Sequence, residues 1–263
     1  MPFPPTPRLE ALLNGPGRWC RLEHLHETPS TNTVVVQRAH RGAPAGLVVV
    51  ADRQTAGRGR RGRRWEDRPG GSLLTSVLVD VAGAQAGLLP FAAGLAVADA
   101  IAAAGASPRL KWPNDVLLDD RKCAGILIEA VPGPTGELRF VVGVGVNVDW
   151  RGTPRDGEAA RWVSIAEATR RPVDRWGLLA DLLESFDRWL EEPPSTLRPA
   201  FRQRCATIGS RVRVTLADRV VVAEAVDVDD SGGLVLRTAE TTVTVRAGDV
   251  EHLRREDSPG GTQ

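Results

Sequence analysis

The sequence predicts an α/β domain followed by a small β-barrel. Three features carry this expectation. Valine-rich apolar runs alternate with helical patterns from Trp19 onward. The stretch from Arg175 to Leu190 repeats apolar residues at helical spacing. From about Thr207 the pattern changes to short strands with tight turns. The chain has 263 residues, 42% of them hydrophobic and 25% charged, which suits a large domain with an appendage, or two domains.

Residues 1–18 are proline-bearing and read as a loose or weakly helical arm. "GLVVVAD" (Gly46 to Asp52) and "GSLLTSVLVDV" (Gly71 to Val81) are continuous apolar runs, as expected of buried strands. Leu88 to Ala104 is alanine-rich. Leu88, Phe91, Leu95 and Ala102 fall on one helical face, with Pro90 in the first turn and Gly105 closing the helix. In "PRLKWPNDVLLDDRKCAGILIEA" two extended pieces flank the turn Asp119-Asp120-Arg121, as in a hairpin. "ELRFVVGVGVNVDW" is a further strand, whose glycines mark the close approach of a backbone or ligand. In the Arg175–Leu190 helix, Trp176, Leu179, Leu183, Phe186 and Leu190 form a packing stripe, and Pro193-Pro194 stop it. A linker is expected over 193–208. Beyond it Val212, Val214 and Leu216 alternate with polar residues, a turn falls at 229–233, and "TTVTVRAGDVEHL" is the last extended piece. The expected organisation is an arm (1–18), a main domain (19–206), a barrel (207–255) and a disordered tail (256–263).

Composition excludes several classes. Cys20, Cys123 and Cys205 are odd in number and far apart, and neither they nor the four histidines form a metal-ligand spacing. No signal peptide and no run of about 18 apolar residues is visible, so a reducing, cytoplasmic setting without a membrane span is expected. The net charge is only +1, which disfavours a protein that holds DNA through its overall field.

Five motifs can carry chemistry. "TAGRGRRGRRW" sets Gly57, Gly59 and Gly62 among Arg58, Arg60, Arg61, Arg63 and Arg64 and ends on Trp65. Glycine-rich turns turn N–H groups toward anions, and arginine grips phosphate or carboxylate bidentately. A ligand loop and a solvated basic loop are equally consistent with these residues, and a nucleic-acid patch ranks third. "KWPND" groups Lys111, Trp112, Asn114 and Asp115, and Asp115 can offer oxygen to Mg²⁺. A plain Pro-Asn-Asp turn is the alternative. Lys122 starts an apolar strand, either as a strand-end gatekeeper or as a cation at a pocket rim, and Gly125 lets something lie close. Asn147 sits among small and β-branched residues and needs partners. Ser30, Thr31 and Asn32 can ring a polar head group or cap a helix.

Taken in order, TPSTN, DRQTAGRGRRGRRW, LKWPNDVLL, KCAGILIE and VGVGVNV resemble the biotin–protein ligases, from about Trp19 to the C-terminus. The resemblance implies an α/β catalytic domain with a mixed β-sheet, like that of class II aminoacyl-tRNA synthetases, followed by an SH3-like β-barrel. It implies two steps: biotin and ATP, with Mg²⁺, give biotinyl-5′-AMP, and a lysine of the carrier then takes the biotinyl group. The implied partner is the biotin carboxyl carrier domain of acyl-CoA carboxylases, and the implied state a monomer or weak homodimer.

Roles follow by motif match. Lys122, Arg58 and Lys111 are the implied catalytic residues. Ser30, Thr31, Asn32, Gln54, Gly57, Arg58, Gly59, Arg60, Lys122 and Gly125 would contact biotin. Arg60, Arg63, Trp65, Lys111, Asn114, Asp115 and Asn147 would contact ATP or the adenylate, and Asp115 would be the Mg²⁺ ligand. Some relatives carry an N-terminal winged helix. Fewer than about thirty residues precede TPSTN here, so no DNA partner and no repressor role are expected. A lipoyl ligase on the same fold is the enzyme rival, and GRGRRGRRW with KWPND speaks against it.

Overall fold

The valine-rich runs lie in the middle of a seven-stranded mixed sheet. Its strands are β1 (Arg21–Thr28), β2 (Leu47–Gln54), β3 (Ser72–Asp80), β4 (Arg109–Lys111), β5 (Asp115–Leu118), β6 (Arg121–Pro132) and β7 (Leu138–Asn147). Their order is β1-β2-β3-β7-β6-β5-β4. β1 and β2 are parallel, and all other neighbours are antiparallel. The computed structural model describes residues 6–253 apart from 82, 84, 217, 218 and 247. The expected tail and the last two residues of the expected barrel therefore lie outside the described residues. β2 and β3 are buried on both faces, so they read as continuous apolar runs rather than alternations. The hairpin between β5 and β6 turns on Asp119 and Asp120, both at positive φ (49° and 57°), so Arg121 is already in the strand.

Helices cover both faces. α2 (Thr31–His40) supplies the crossover between parallel β1 and β2, and it packs Val35 and Ala39 against Leu47, Val49, Leu78 and Val141. α3 (Gln85–Ala103) and α5 (Arg175–Glu191) cover the opposite face over Val48, Val50 and Val142, with the short α4 (Ile165–Thr169) preceding α5. Asp99 on α3 accepts hydrogen bonds from Ser185 Oγ (2.6 Å) and Trp189 Nε1 (2.7 Å) on α5. Gly105, at φ +87°, follows the C-terminus of α3 as expected.

Several local expectations are corrected or sharpened. α3 starts at Gln85, so Pro90 lies in its second turn. Its apolar face is not a stripe, because neighbours on several sides bury most of the helix while Ala102 is exposed. α3 is also 19 residues long and apolar enough to cross a membrane by length and composition, a run the sequence reading missed; here it is a core helix. The expected linker contains α6 (Pro194–Arg204), which buries Leu197 and Phe201 and stacks Phe201 on Phe91 of α3. The expected arm contains α1 (Pro7–Asn14), capped by Thr6, with Leu9 fully buried and Arg8 paired to Asp181 and Glu184 of α5.

The C-terminal segment forms an antiparallel sheet of β8 (Arg211–Thr215), β9 (Val220–Val228), β10 (Leu234–Arg237), β11 (Thr242–Val245) and β12 (Asp249–His252), in the order β11-β10-β9-β8-β12. The single last extended piece expected from sequence is thus two strands on opposite edges. Trp112 ties this sheet to the main one. Its indole N–H donates to Gly232 O (2.9 Å), and its backbone N–H donates to Thr207 Oγ1 (3.1 Å).

Candidate active site

The face of the main sheet that carries α2 is left open beyond the start of that helix, and a cleft lies there. Glycines make its floor. Gly143 on β7 lies opposite Ser76 on β3 and Leu127 on β6; two residues on, Gly145 lies opposite Leu74 and Gly125. A Cβ at Gly143 would come within 2.0 Å of Asn32 Oδ1, and one at Gly145 within 2.4 Å of the Trp65 ring. The alternation of glycine and valine in VGVGV is therefore a close-packing requirement, with glycine on the cleft face and valine on the core face.

Along β7 near Gly143, the start of α2 brings polar groups together. Gln54 Oε1 accepts from the Thr31 N–H (2.8 Å) and Thr31 Oγ1 (3.1 Å). Ser76 Oγ lies 2.7 Å from Thr31 Oγ1 and 2.6 Å from Asn32 Oδ1. Asn32 Nδ2 donates to Leu127 O (3.3 Å) and Glu129 Oε2 (2.7 Å), so both its protons are committed to protein. Ser30 is the N-cap of α2 by position, but its side chain makes no capping bond, and it lines the cleft.

Near Gly145 the character changes to charge and aromatic surface. Lys122 Nζ pairs with Asp115 Oδ1 at 2.8 Å and lies 5.4 Å from the centre of the Trp65 ring. Trp65 lies on Gly125 and Gly145 and stacks on Trp162, with ring centres 5.6 Å apart. Its Nε1 is buried without a hydrogen-bond partner, an arrangement that a ligand acceptor would satisfy. Asn114 Nδ2 donates to Ile126 O (2.9 Å), which leaves its Oδ1 to Arg60 (3.3 Å).

The arginine-rich segment is the roof. Gly59 N–H donates to Arg63 O (2.7 Å) and Trp65 N–H to Gly57 O (2.9 Å), making a small hairpin with Arg61 at φ +56°. Arg58 pairs with Glu129 (2.7 Å). Arg63 and Arg61 both pair with Asp249 of β12 (2.6 and 3.3 Å). Burial pulls the Arg60 pKa below its ordinary value, against the opposing pull of Asp249. Lys111 falls for the same reason, opposed by Asp115.

Of the expected site residues, Ser30, Thr31, Asn32, Gln54, Arg58, Gly59, Arg60, Arg63, Trp65, Asn114, Lys122 and Gly125 line this one cleft. Gly57 borders the outer groove of the roof instead. Asp115 reaches the cleft through Lys122. Lys111 and Asn147 are not among its lining residues. The Asn147 amide donates to Val163 O (3.2 Å) and Lys122 O (3.5 Å), so it pins the Trp162–Val163 segment to the sheet. Sequence reasoning passed over Trp162, Ser76 and Glu129. Glu129 stood inside the quoted KCAGILIE, and its charge in an apolar strand was the available signal; Ser76 and Trp162 gave none.

Backbone close approach, a cationic roof and a lysine–aspartate pair together define a cleft for an acyl-activating enzyme. The profile of the Biotin/lipoate A/B protein ligase family matches residues 25–149, and that of the Biotin protein ligase C terminal domain matches residues 207–253. The biotin–[acetyl-CoA-carboxylase] ligase of Mycobacterium tuberculosis is 40% identical over 93% of this chain and 94% of its own length. That of Paracoccus denitrificans is 37% identical over 86% and 98%. Among solved structures, the biotin protein ligase of Aquifex aeolicus in complex with biotin and ATP superposes with a TM-score of 0.75, at 26% identity, covering 90% of this chain and all of that one. The chain belongs to the biotin protein ligase family.

Proposed function

We propose that this chain is an ATP-dependent biotin–[acetyl-CoA-carboxylase] ligase, which makes biotinyl-5′-AMP from biotin and ATP and passes the biotinyl group to a carrier lysine. The observation that carries the reading is the glycine-floored cleft, polar near Gly143 and cationic near Gly145, under one arginine roof. At the polar end Thr31 occupies the Gln54 oxygen, which leaves the Gln54 amide protons and the Ser30 hydroxyl for the ureido ring of biotin. At the cationic end Lys122, Arg58 and Arg60 face the carboxylate and the α-phosphate, where negative charge grows as the acid attacks. Positioning and charge stabilisation account for such a reaction without an internal nucleophile. Trp65 and Trp162 form the aromatic wall for the adenine. Lys111 and Asn147 act from outside the cleft, through charge and through the Trp162 segment. Arg63 adds charge at the roof.

Mg²⁺ enters with ATP as part of the substrate. Asp115 fits it with a single carboxylate, since Lys122 holds Oδ1 and no cluster of three ligating side chains exists among the described residues. Phosphate oxygens and water would supply the other ligands. We assign residues 19–206 to a catalytic domain of class II synthetase type and 207–255 to a barrel of SH3 type. The partner is the biotin carboxyl carrier domain of an acyl-CoA carboxylase. Three free cysteines fit a reducing, cytoplasmic setting.

The test is incubation with biotin, ATP, Mg²⁺ and a carrier domain, followed by mass measurement of the carrier. The expected result is a gain of one biotinyl group that needs both biotin and ATP. No gain with biotin, but a gain with lipoate, would assign the chain to lipoyl transfer instead.

A further inference from the structure

We infer that Glu129 is a positioning residue that ties the arginine roof to the ring-binding end of the cleft. Its oxygen Oε2 accepts from Asn32 Nδ2 and from an Arg58 Nη2, both at 2.7 Å. Asn32 belongs to α2 and Arg58 to the roof, so one carboxylate oxygen on β6 joins two elements that meet a ligand from different sides. The link continues inward: Ser76 donates its proton to Asn32 Oδ1, Thr31 Oγ1 donates to Ser76 Oγ, and the Thr31 backbone N–H donates to Gln54 Oε1. The result is a continuous hydrogen-bonded chain from Gln54 to Arg58 around the cleft.

The direction of the chain is set by its donors. Asn32 Nδ2 faces two acceptors, Leu127 O and Glu129, while its Oδ1 faces the Ser76 hydroxyl. A flipped amide would set oxygen against both a carbonyl and a carboxylate, so this orientation is the stable one. Glu129 borders the outer groove of the roof and does not line the cleft, so it acts through its two partners. Arg58 has five N–H donors in a rigid fork. Holding one on Glu129 aims the guanidinium at the cleft that it lines. Loss of the carboxylate charge frees Arg58, and with it the roof, while Asn32 can still donate to a glutamine oxygen.

The inference rests on biotin being the ligand of this cleft. Its test is Glu129→Gln in the full chain, alone and combined with Arg58→Ala. Three quantities are read: biotin KM against kcat, the rate at which trypsin cuts within residues 58–64 without ligand, and the melting temperature. Loss of one partly exposed charge-assisted bond gives an expected rise in biotin KM of about tenfold. The change in kcat should be the smaller of the two, because Glu129→Gln leaves the Arg58 charge in place, and trypsin should cut the roof faster. In the Arg58→Ala background Glu129→Gln should change none of these further, because its effect passes through Arg58. Unchanged KM and cleavage, or equal losses in both backgrounds with a matching fall in melting temperature, would overturn the positioning role. Wild-type protein that binds no biotin would overturn the ligase reading and this inference together. Wild-type binding with an unaffected Glu129→Gln variant would remove only the latter.

Discussion

Lys122→Ala tests the charge argument most directly. The ammonium sits at the start of β6, pairs with Asp115 at 2.8 Å, and lies beside Gly125 on the cleft floor. An ammonium about 4 Å from a developing unit charge contributes roughly 4 kcal/mol at an effective dielectric of about 20. Two features reduce that. Asp115 already neutralises part of the charge, and the side chain is 23% exposed. A net figure of roughly 3 kcal/mol remains, within the range for removing one preorganised oxyanion donor, and it corresponds to a fall of about 150-fold in the rate.

The folding cost is smaller. The pair with Asp115 is partly solvated, so its loss should cost about 1 kcal/mol or less and leave the sheet intact. Biotin-dependent exchange of pyrophosphate into ATP, at saturating biotin and ATP, isolates the first step from carrier binding. A loss under about threefold, below ~0.7 kcal/mol, with the variant folded, would refute the assignment of Lys122 to charge stabilisation.

Other expectations follow from the floor, the aromatic wall and the C-terminal sheet. Gly145→Ala places a Cβ within 2.4 Å of Trp65, so it should destabilise by about 1–3 kcal/mol and shift the tryptophan emission; unchanged melting and emission would count against the close-packed floor. Trp162→Ala removes the stacking partner of Trp65 and should raise the KM for ATP more than that for biotin, by about tenfold for one stacked base; equal rises would argue against an adenine wall. His252 is held by burial at a pKa of about 4, below its ordinary 6.5. Its Nε2 lies 3.1 Å from Thr207 Oγ1, which already accepts from the Trp112 N–H and so has its own proton to donate. The folded state therefore binds fewer protons than the unfolded state between those two values, and stability should fall as pH drops from 6.5 toward 4. His252→Gln should flatten the melting temperature over that window, and parallel curves for both proteins would refute the assignment.

The strands and the long helices were legible in the sequence because burial leaves a period. β2 and β3 are covered on both faces and read as unbroken apolar runs, and α5 keeps a one-sided stripe. α6 was not legible, since Pro193, Pro194 and Pro199 read as linker, yet Pro194 stands at N1, where proline is tolerated. The cleft residues were found by motif and by chemical type, and those that line it do so from five separate segments. Ser76 had no local signal, because its role depends on standing opposite Gly143 across a strand pair. Trp162 is distant in sequence from Trp65, and only folding brings the rings together. The family resemblance implies nucleotide contacts for Asn147 and Lys111; in the fold Asn147 donates to backbone carbonyls and Lys111 is half-buried, neither lining the cleft.

The arginine roof raises a problem of self-repulsion that the near-neutral chain resolves locally. Five arginines within residues 58–64 should push one another apart, and glycines among them offer little backbone resistance. The fold meets each with an acceptor. Glu129 takes Arg58, Asp249 takes both Arg61 and Arg63, Asn114 takes Arg60, and Thr55 O takes Arg64. Two of these acceptors are carboxylates from different sheets, so the roof is anchored to both β6 and β12. The C-terminal sheet thereby supports the roof although it does not line the cleft. The distribution is also uneven. Three of the five arginines are tied to carboxylates, whereas Arg60 and Arg64 meet a side-chain amide oxygen and a backbone carbonyl, and Arg60 is the more buried of the two. A carboxylate or phosphate entering the cleft would therefore meet Arg60 without first breaking an ion pair.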